Sequence, residues 1–232
     1  MSDESVSYPD DASAATFLLT VRGRMAAVAV EETRKVHNET AGAAPSVAAA
    51  RSLGDLSHNV YAGYGEDHRG ELLFIDFWNS LSGLGQFFSD PQVQAGGNML
   101  FASRENPVWA PAENAGSYHL AVPSGRTPTG VGLLRAEVTS LDKAASAFRD
   151  YASATINRSR LHGMVSHSVW TRVPDPGAPA VPEVIGVDVW LDADEMARYY
   201  DLSLGFEHLG PIFVGKPDTS IWQAAPGDWT EW

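Results

Sequence analysis

The stretch Leu56-Ser57-His58-Asn59-Val60-Tyr61 returns 109 residues later as Val165-Ser166-His167-Ser168-Val169-Trp170. A second stretch, Leu73-Phe74-Ile75-Asp76-Phe77-Trp78, returns 112 residues later as Ile185-Gly186-Val187-Asp188-Val189-Trp190. A short insertion in the Pro-rich segment Pro174 to Pro182 accounts for the change in offset. Beyond these, Leu84, Phe87 and Phe88 match Met196, Tyr199 and Tyr200, Phe101 matches Phe213, and Trp109 matches Trp222. Identities are few, but their order and near-constant spacing point to a repeated unit. The expected division is a disordered leader at 1–15, a first repeat at 16–122, a linker at 123–130 and a second repeat at 131–232.

Each repeat reads as β-α-β-β-α-β, the ferredoxin-like order. Thr16 to Arg22 and Val131 to Val138 are apolar and β-branched, as strands are. Helical spacing follows at Ala29 to Thr40 and at Leu141 to Arg158, and the first repeat adds Pro45 to Leu53 with Pro in its opening turn. Two strands come next in each repeat: Ser57 to Tyr64 with Glu71 to Trp78, and Val165 to Val173 with Glu183 to Trp190. A second helix is expected at Ser82 to Phe88 and at Ala193 to Leu202, and a last strand at Asn106 to Ala110 and Thr219 to Ala224. The Gly96-Gly97 pair reads as a helix C-terminal cap. The fold class is therefore α+β, with two ferredoxin-like repeats covering each other's sheets as one intrachain α+β barrel.

This order, the unit length and the Phe87-Phe88-Ser89-Asp90-Pro91 helix end resemble the dimeric α+β barrel superfamily. That group holds antibiotic-biosynthesis-type monooxygenases, muconolactone isomerases, stress-responsive barrels and haem proteins of the chlorite dismutase kind. The resemblance implies a fold and a cavity for a small molecule, and leaves the activity open.

Composition narrows the function classes. The chain carries a net charge of −13, the wrong sign for a nucleic-acid partner or for docking on anionic lipid. It has no cysteine, which excludes thiol catalysis, disulfides and thiolate metal sites and fits a cytoplasmic location. No run of about 20 apolar residues is present for a membrane helix. Phosphate-loop and nucleophile-elbow motifs are absent, and no His pair has the spacing of a helical metal site, so no metal and no cofactor are expected.

Strand alternation suggests which residues face the cavity. Leu73, Ile75 and Phe77, with Ile185, Val187 and Val189, are all apolar and are expected under the helices. Asp76 and Trp78, with Asp188 and Trp190, are then expected to point into the barrel and share one interior. The same reasoning puts Asn59, Tyr61, Ser168 and Trp170 in the cavity and His58 and His167 on the helix side as structural groups. For the two aspartates, a role in holding the unit together stands beside a catalytic one. His37, on the first helix, has Tyr151 as its counterpart, and it is the general-base candidate because its imidazole titrates near neutral pH.

The candidate catalytic residues are thus His37, Asp76 and Asp188. Trp78, Trp190, Asn59, Tyr61, Ser168, Trp170 and Tyr151 would hold an apolar or aromatic substrate. Three functions remain open: a small-molecule enzyme, as a cofactor-independent monooxygenase or an isomerase or cyclase; a non-catalytic ligand-binding or stress-associated barrel; and haem binding through a histidine axial ligand. Monomer and homodimer are equally compatible with the sequence.

Overall fold

Strand β1 (Phe17–Met25) runs antiparallel to β3 (Glu71–Trp78), which in turn pairs with β2 (Asp55–Gly63). The computed structural model describes residues 16–201 and 209–232; the expected leader at 1–15 and the helix end at Leu202 lie outside the described residues. Between β1 and β2 come α1 (Val30–Glu39) and α2 (Ala44–Ser52), and after β3 come α3 (Leu81–Ser89) and α4 (Pro91–Leu100). Short strands β4 (Phe101–Glu105), β5 (Val108–Pro111) and β6 (Tyr118–His119) follow. The later part of the chain holds β7 (Gly130–Glu137), α5 (Leu141–Leu161), β8 (Met164–Arg172), β9 (Glu183–Trp190), α6 (Ala193–Asp201) and β10 (Asp218–Ala224).

Eight of these strands close into an antiparallel barrel in the order β3-β2-β10-β7-β9-β8-β5-β1, with β1 pairing back onto β3. Closure depends on exchange between the two parts of the chain. β10 lies between β2 and β7, and β5 lies between β1 and β8. β4 and β6 pair outside the ring, on β1 and β8.

An eight-stranded barrel is just wide enough for its own side chains to fill. Here Leu18, Leu73, Ile75, Trp109, Val131, Leu133, Trp170, Ile185, Val187 and Trp222 form one buried cluster with no helical member. They come from the strands alone, so this cluster is the barrel interior. The helices cover the outside. In the first part of the chain, Leu72, Phe74 and Trp78 pack against Ala50, Leu84 and Leu100. In the second, Leu134 and Val184 pack against Phe148 and Tyr151 of α5.

This arrangement reverses the expected faces. Leu73, Ile75 and Phe77 point into the barrel, and Asp76 and Trp78 lie under the helices. The interior of a closed barrel is its driest region, so it takes the uniformly apolar face of β3 and β9. A second correction concerns α4. Gly96 and Gly97 lie within this helix, whose start is marked by Asp90, the side chain of which accepts from Gln92 N–H at 2.7 Å, and by Pro91 at its first turn. Asp90-Pro91 thus ends one helix and starts another. No helix among the described residues is long and apolar enough to cross a membrane.

Candidate functional site

The pairing of β2 with β3 sets His58 directly opposite Asp76 on the helix-covered face. His58 Nδ1–H donates to Asp76 Oδ1 at 2.7 Å. Helix α1 turns Thr33 and His37 inward, one helical turn apart, and lays the His37 ring on His58. The rings are 5.2 Å apart and within 9° of parallel, with the two Nε2 atoms 3.0 Å apart.

The segment 225–232 straps the site from the other side. Trp232 stacks on His58 at 4.7 Å, and its backbone N–H and C=O pair with those of His58. Trp229 packs edge-on against His37, and Asn38 is pinned by Thr230 N–H at 2.9 Å and by Asp228 O at 2.8 Å. Asn38 Oδ1 also accepts from His37 Nδ1–H at 3.0 Å. That bond leaves His37 Nε2 as an acceptor, so the proton between the two rings belongs to His58.

Electrostatics agree with this assignment. Burial, then the charge of His58, lowers His37 to about 4, against an opposing pull from Asn38. For His58 burial also favours the neutral ring, but the Asp76 charge and hydrogen bond, with Asp55 and Glu231, outweigh it and raise the pKa. Burial thus favours a neutral His37, the Asp76 contact favours the protonated form of His58, and the three side chains form one hydrogen-bonded relay.

Asp55 completes the cluster. It opens β2 at a bulge and is buried, with Oδ1 making no hydrogen bond. Burial first and the neighbouring Asp76 charge second push it up to about 7, although His58, the Ser57 backbone and Trp232 draw it down. A carboxyl group with that value exchanges its proton at neutral pH.

These groups border a cavity of about 630 Å³ between β2–β3 and helices α2, α3 and α4. Phe74, Trp78, Phe87, Phe88 and Leu100 supply apolar walls, and Asp55, His58 and Asp76 supply the polar end. The indole N–H of Trp78 is buried there with no acceptor. Apolar walls with a few convergent polar groups are the usual build of a small-molecule site.

The second part of the chain carries a related but different arrangement. His167 sits opposite Asp188, and its Nδ1–H donates to Asp188 Oδ1 at 2.6 Å. Tyr151 of α5 packs near His167, with ring centroids 6.4 Å apart, where α1 offers His37. Tyr200 O–H donates to Asp188 Oδ2 at 2.6 Å. Met164, which opens β8 opposite Trp190, stands where β2 has Asp55. A separate cavity of about 400 Å³ borders His167 and Asp188.

The expected site residues therefore divide among three places. His37, Asp76 and Trp78 meet at the first cavity, or in contact with its polar end. Asp188 and Tyr151 lie at the second, while Trp190 packs with Met164, Met196 and Tyr199. Tyr61 and Trp170 pack in the filled barrel interior, and Ser168 accepts from Trp170 Nε1–H at 2.9 Å. Asn59 points the same way, its Nδ2–H reaching Ile75 O at 3.5 Å. Asp76 and Asp188 do not share an interior as expected, because the apolar core of the closed barrel separates the two cavities. Asp55 escaped the sequence reading, because it lies one residue before the repeated stretch that begins at Leu56.

A haem iron needs a free imidazole nitrogen and open space above it. His37 and His58 use both ring nitrogens, so neither has one to give to iron. These residues do not fit a haem. No cluster of three or more His, Asp or Glu with metal-binding geometry occurs among the described residues.

No protein-family model matches the chain, and no curated protein does. Solved structures do. An anthrone oxidase-like protein superposes with a TM-score of 0.61 at 14% identity, over 90% of this chain and 91% of its own. The fold is the ferredoxin-like α+β barrel. A candidate monooxygenase from Lactobacillus acidophilus shares this barrel with a TM-score of 0.58 at 12% identity, over 92% of this chain and 97% of its own. A mutant chlorite dismutase from Candidatus Nitrospira defluvii gives 0.58 at 12% identity, over 92% of each chain. At these identities the likeness to other α+β barrels is one of fold.

Proposed function

We propose that this protein is a small-molecule oxygenase that binds an apolar hydroxyaromatic substrate in the 630 Å³ cavity and needs no prosthetic group. The observation that carries this reading is Asp55, a buried carboxyl group with a free oxygen and a pKa near 7 at the polar end of an aromatic-walled cavity. Its carboxylate takes a proton from a ring-activated C–H or O–H of the substrate. The Trp78 N–H, which has no acceptor of its own, stands nearby to stabilise the resulting anion. That anion is electron-rich enough to reduce dioxygen. For an activated methylene, one oxygen atom enters the product as a ketone and the other leaves as water, so no outside reductant is consumed. The anthrone oxidase-like and monooxygenase-like neighbours support this chemistry without establishing it.

Two further readings belong here. The shared His–Asp register of β2–β3 and β8–β9 supports a tandem duplication of one ferredoxin-like unit, after which only the first copy kept the Asp55 and His37 pair. The acidic, cysteine-free chain suits work in the cytoplasm.

Oxygen uptake with anthrone- and naphthol-type substrates tests the proposal. Turnover should rise with pH through about 7, and Asp55→Asn should lower it by about 10²- to 10⁴-fold while substrate still binds. Binding without oxygen uptake for every substrate would leave a ligand-binding protein and reject the oxygenase.

A further inference from the structure

We propose that the second cavity is a separate binding site for a neutral, phenol-class ligand, whose O–H donates to His167 Nε2. The first cavity's chemistry plays no part in this inference. His167 is 3% exposed and borders the cavity, yet its Nε2 is buried with no hydrogen-bond partner. Such an atom normally finds a partner, because leaving it unpaired costs free energy.

What partner it wants follows from its surroundings. Both Asp188 oxygens are engaged, one by His167 Nδ1–H and the other by Tyr200 O–H, each at 2.6 Å. The proton shared with Asp188 sits on Nδ1, so what Nε2 offers is a lone pair and the missing partner is a donor. The Asp188 charge inside and Glu66, Asp67 and Asp201 at the border oppose an anionic ligand. Leu134, Phe148 and Leu209 offer apolar walls, and about 400 Å³ suits a ligand of one or two fused rings.

Two strand glycines make the room. A Cβ at Gly132 would lie 2.7 Å from the Tyr200 hydroxyl, so a larger residue would push that hydroxyl from its place beside Asp188. Gly186 lines the cavity, and a Cβ there would make ordinary van der Waals contact with Phe148 at 3.6 Å. Filling that position narrows the cavity without touching the His167–Asp188 bond.

The test uses the intact protein with ¹⁵N-labelled histidines and 1-naphthol as probe. The His167 Nε2 resonance should shift on titration, and Gly186→Val should weaken that response by about tenfold or more. If that variant is poorly folded, Gly186→Ala, whose Cβ fits at 3.6 Å, should give a smaller loss of the same sign. The same-sized anion 1-naphthoate should bind the His167 site at least about tenfold more weakly. An unmoved His167 signal at saturating 1-naphthol overturns the proposal, and so does naphthoate binding as tightly as naphthol. The His58 signal reports the first cavity separately, so loss of one site is distinguishable from loss of the other.

Discussion

His37 and Asp55 are shifted in opposite senses, and stability should show it. Unfolded, His37 takes a proton below about 6.5, but in the fold it resists until about 4. Its contribution therefore falls as the pH drops from 6.5 to 4. Asp55 works the other way: unfolded it ionises near 3.8, while folded it stays protonated up to about 7, so its contribution falls as the pH rises across that window. The two slopes oppose each other in the wild type, and single variants should expose them. Relative to wild type, the thermal midpoint of Asp55→Asn should climb from pH 4 to 7 and then level off. That of His37→Gln, which keeps an acceptor for His58, should instead decline from pH 4 to 6.5. Parallel profiles for all three proteins would contradict the assigned protonation states. The residue types at this site were readable in the sequence, and His37 and Asp76 stood out. Their meeting with Asp55 was not readable, because it depends on a β-bulge and on where α1 crosses the sheet.

Among the elements, α3 shows how local signals and close packing combine. Ser80 caps it, its hydroxyl accepting from Gly83 N–H at 3.0 Å. Gly83 meets the end of α2 so closely that a Cβ there would lie 1.8 Å from Leu53 O. Backbone on both sides cannot give way, so Gly83→Ala should cost more than Ser80→Ala. We expect losses of about 1–3 kcal/mol and about 1 kcal/mol, read from denaturant midpoints. The larger loss should come with weaker ligand binding, since α2 and α3 both border the first cavity. Equal effects would show that α3 slides freely. Helix periodicity and strand alternation placed most elements within a few residues, and β3 and β9 at their full lengths. Helix α4 was missed because Gly96 and Gly97 look like a stop, whereas Gly96 faces Thr40 where a larger residue would crowd the crossing with α1.

The whole molecule is held together by exchanged strands. β5 reaches β8 and β10 reaches β2, so neither part of the chain completes its own side of the barrel. Residues 1–122 and 123–232 made as separate polypeptides should each lack a cooperative thermal transition. Mixing them should restore one, with the circular dichroism of the intact protein. Independent cooperative melting of either piece would contradict this. By itself the sequence determined the α+β class and the recurring strand pairs, because side-chain periodicity and order along the chain are local properties; that each His stands opposite its Asp came from the strand register. Only the tertiary structure decided which face is interior. Closing eight strands leaves a space that side chains fill, and this sends the apolar faces inward and the His, Asp and Trp faces out beneath the helices. The recurring stretches around His58 and His167 thus border two cavities on the outside of one barrel, where the sequence alone suggested one cavity within it.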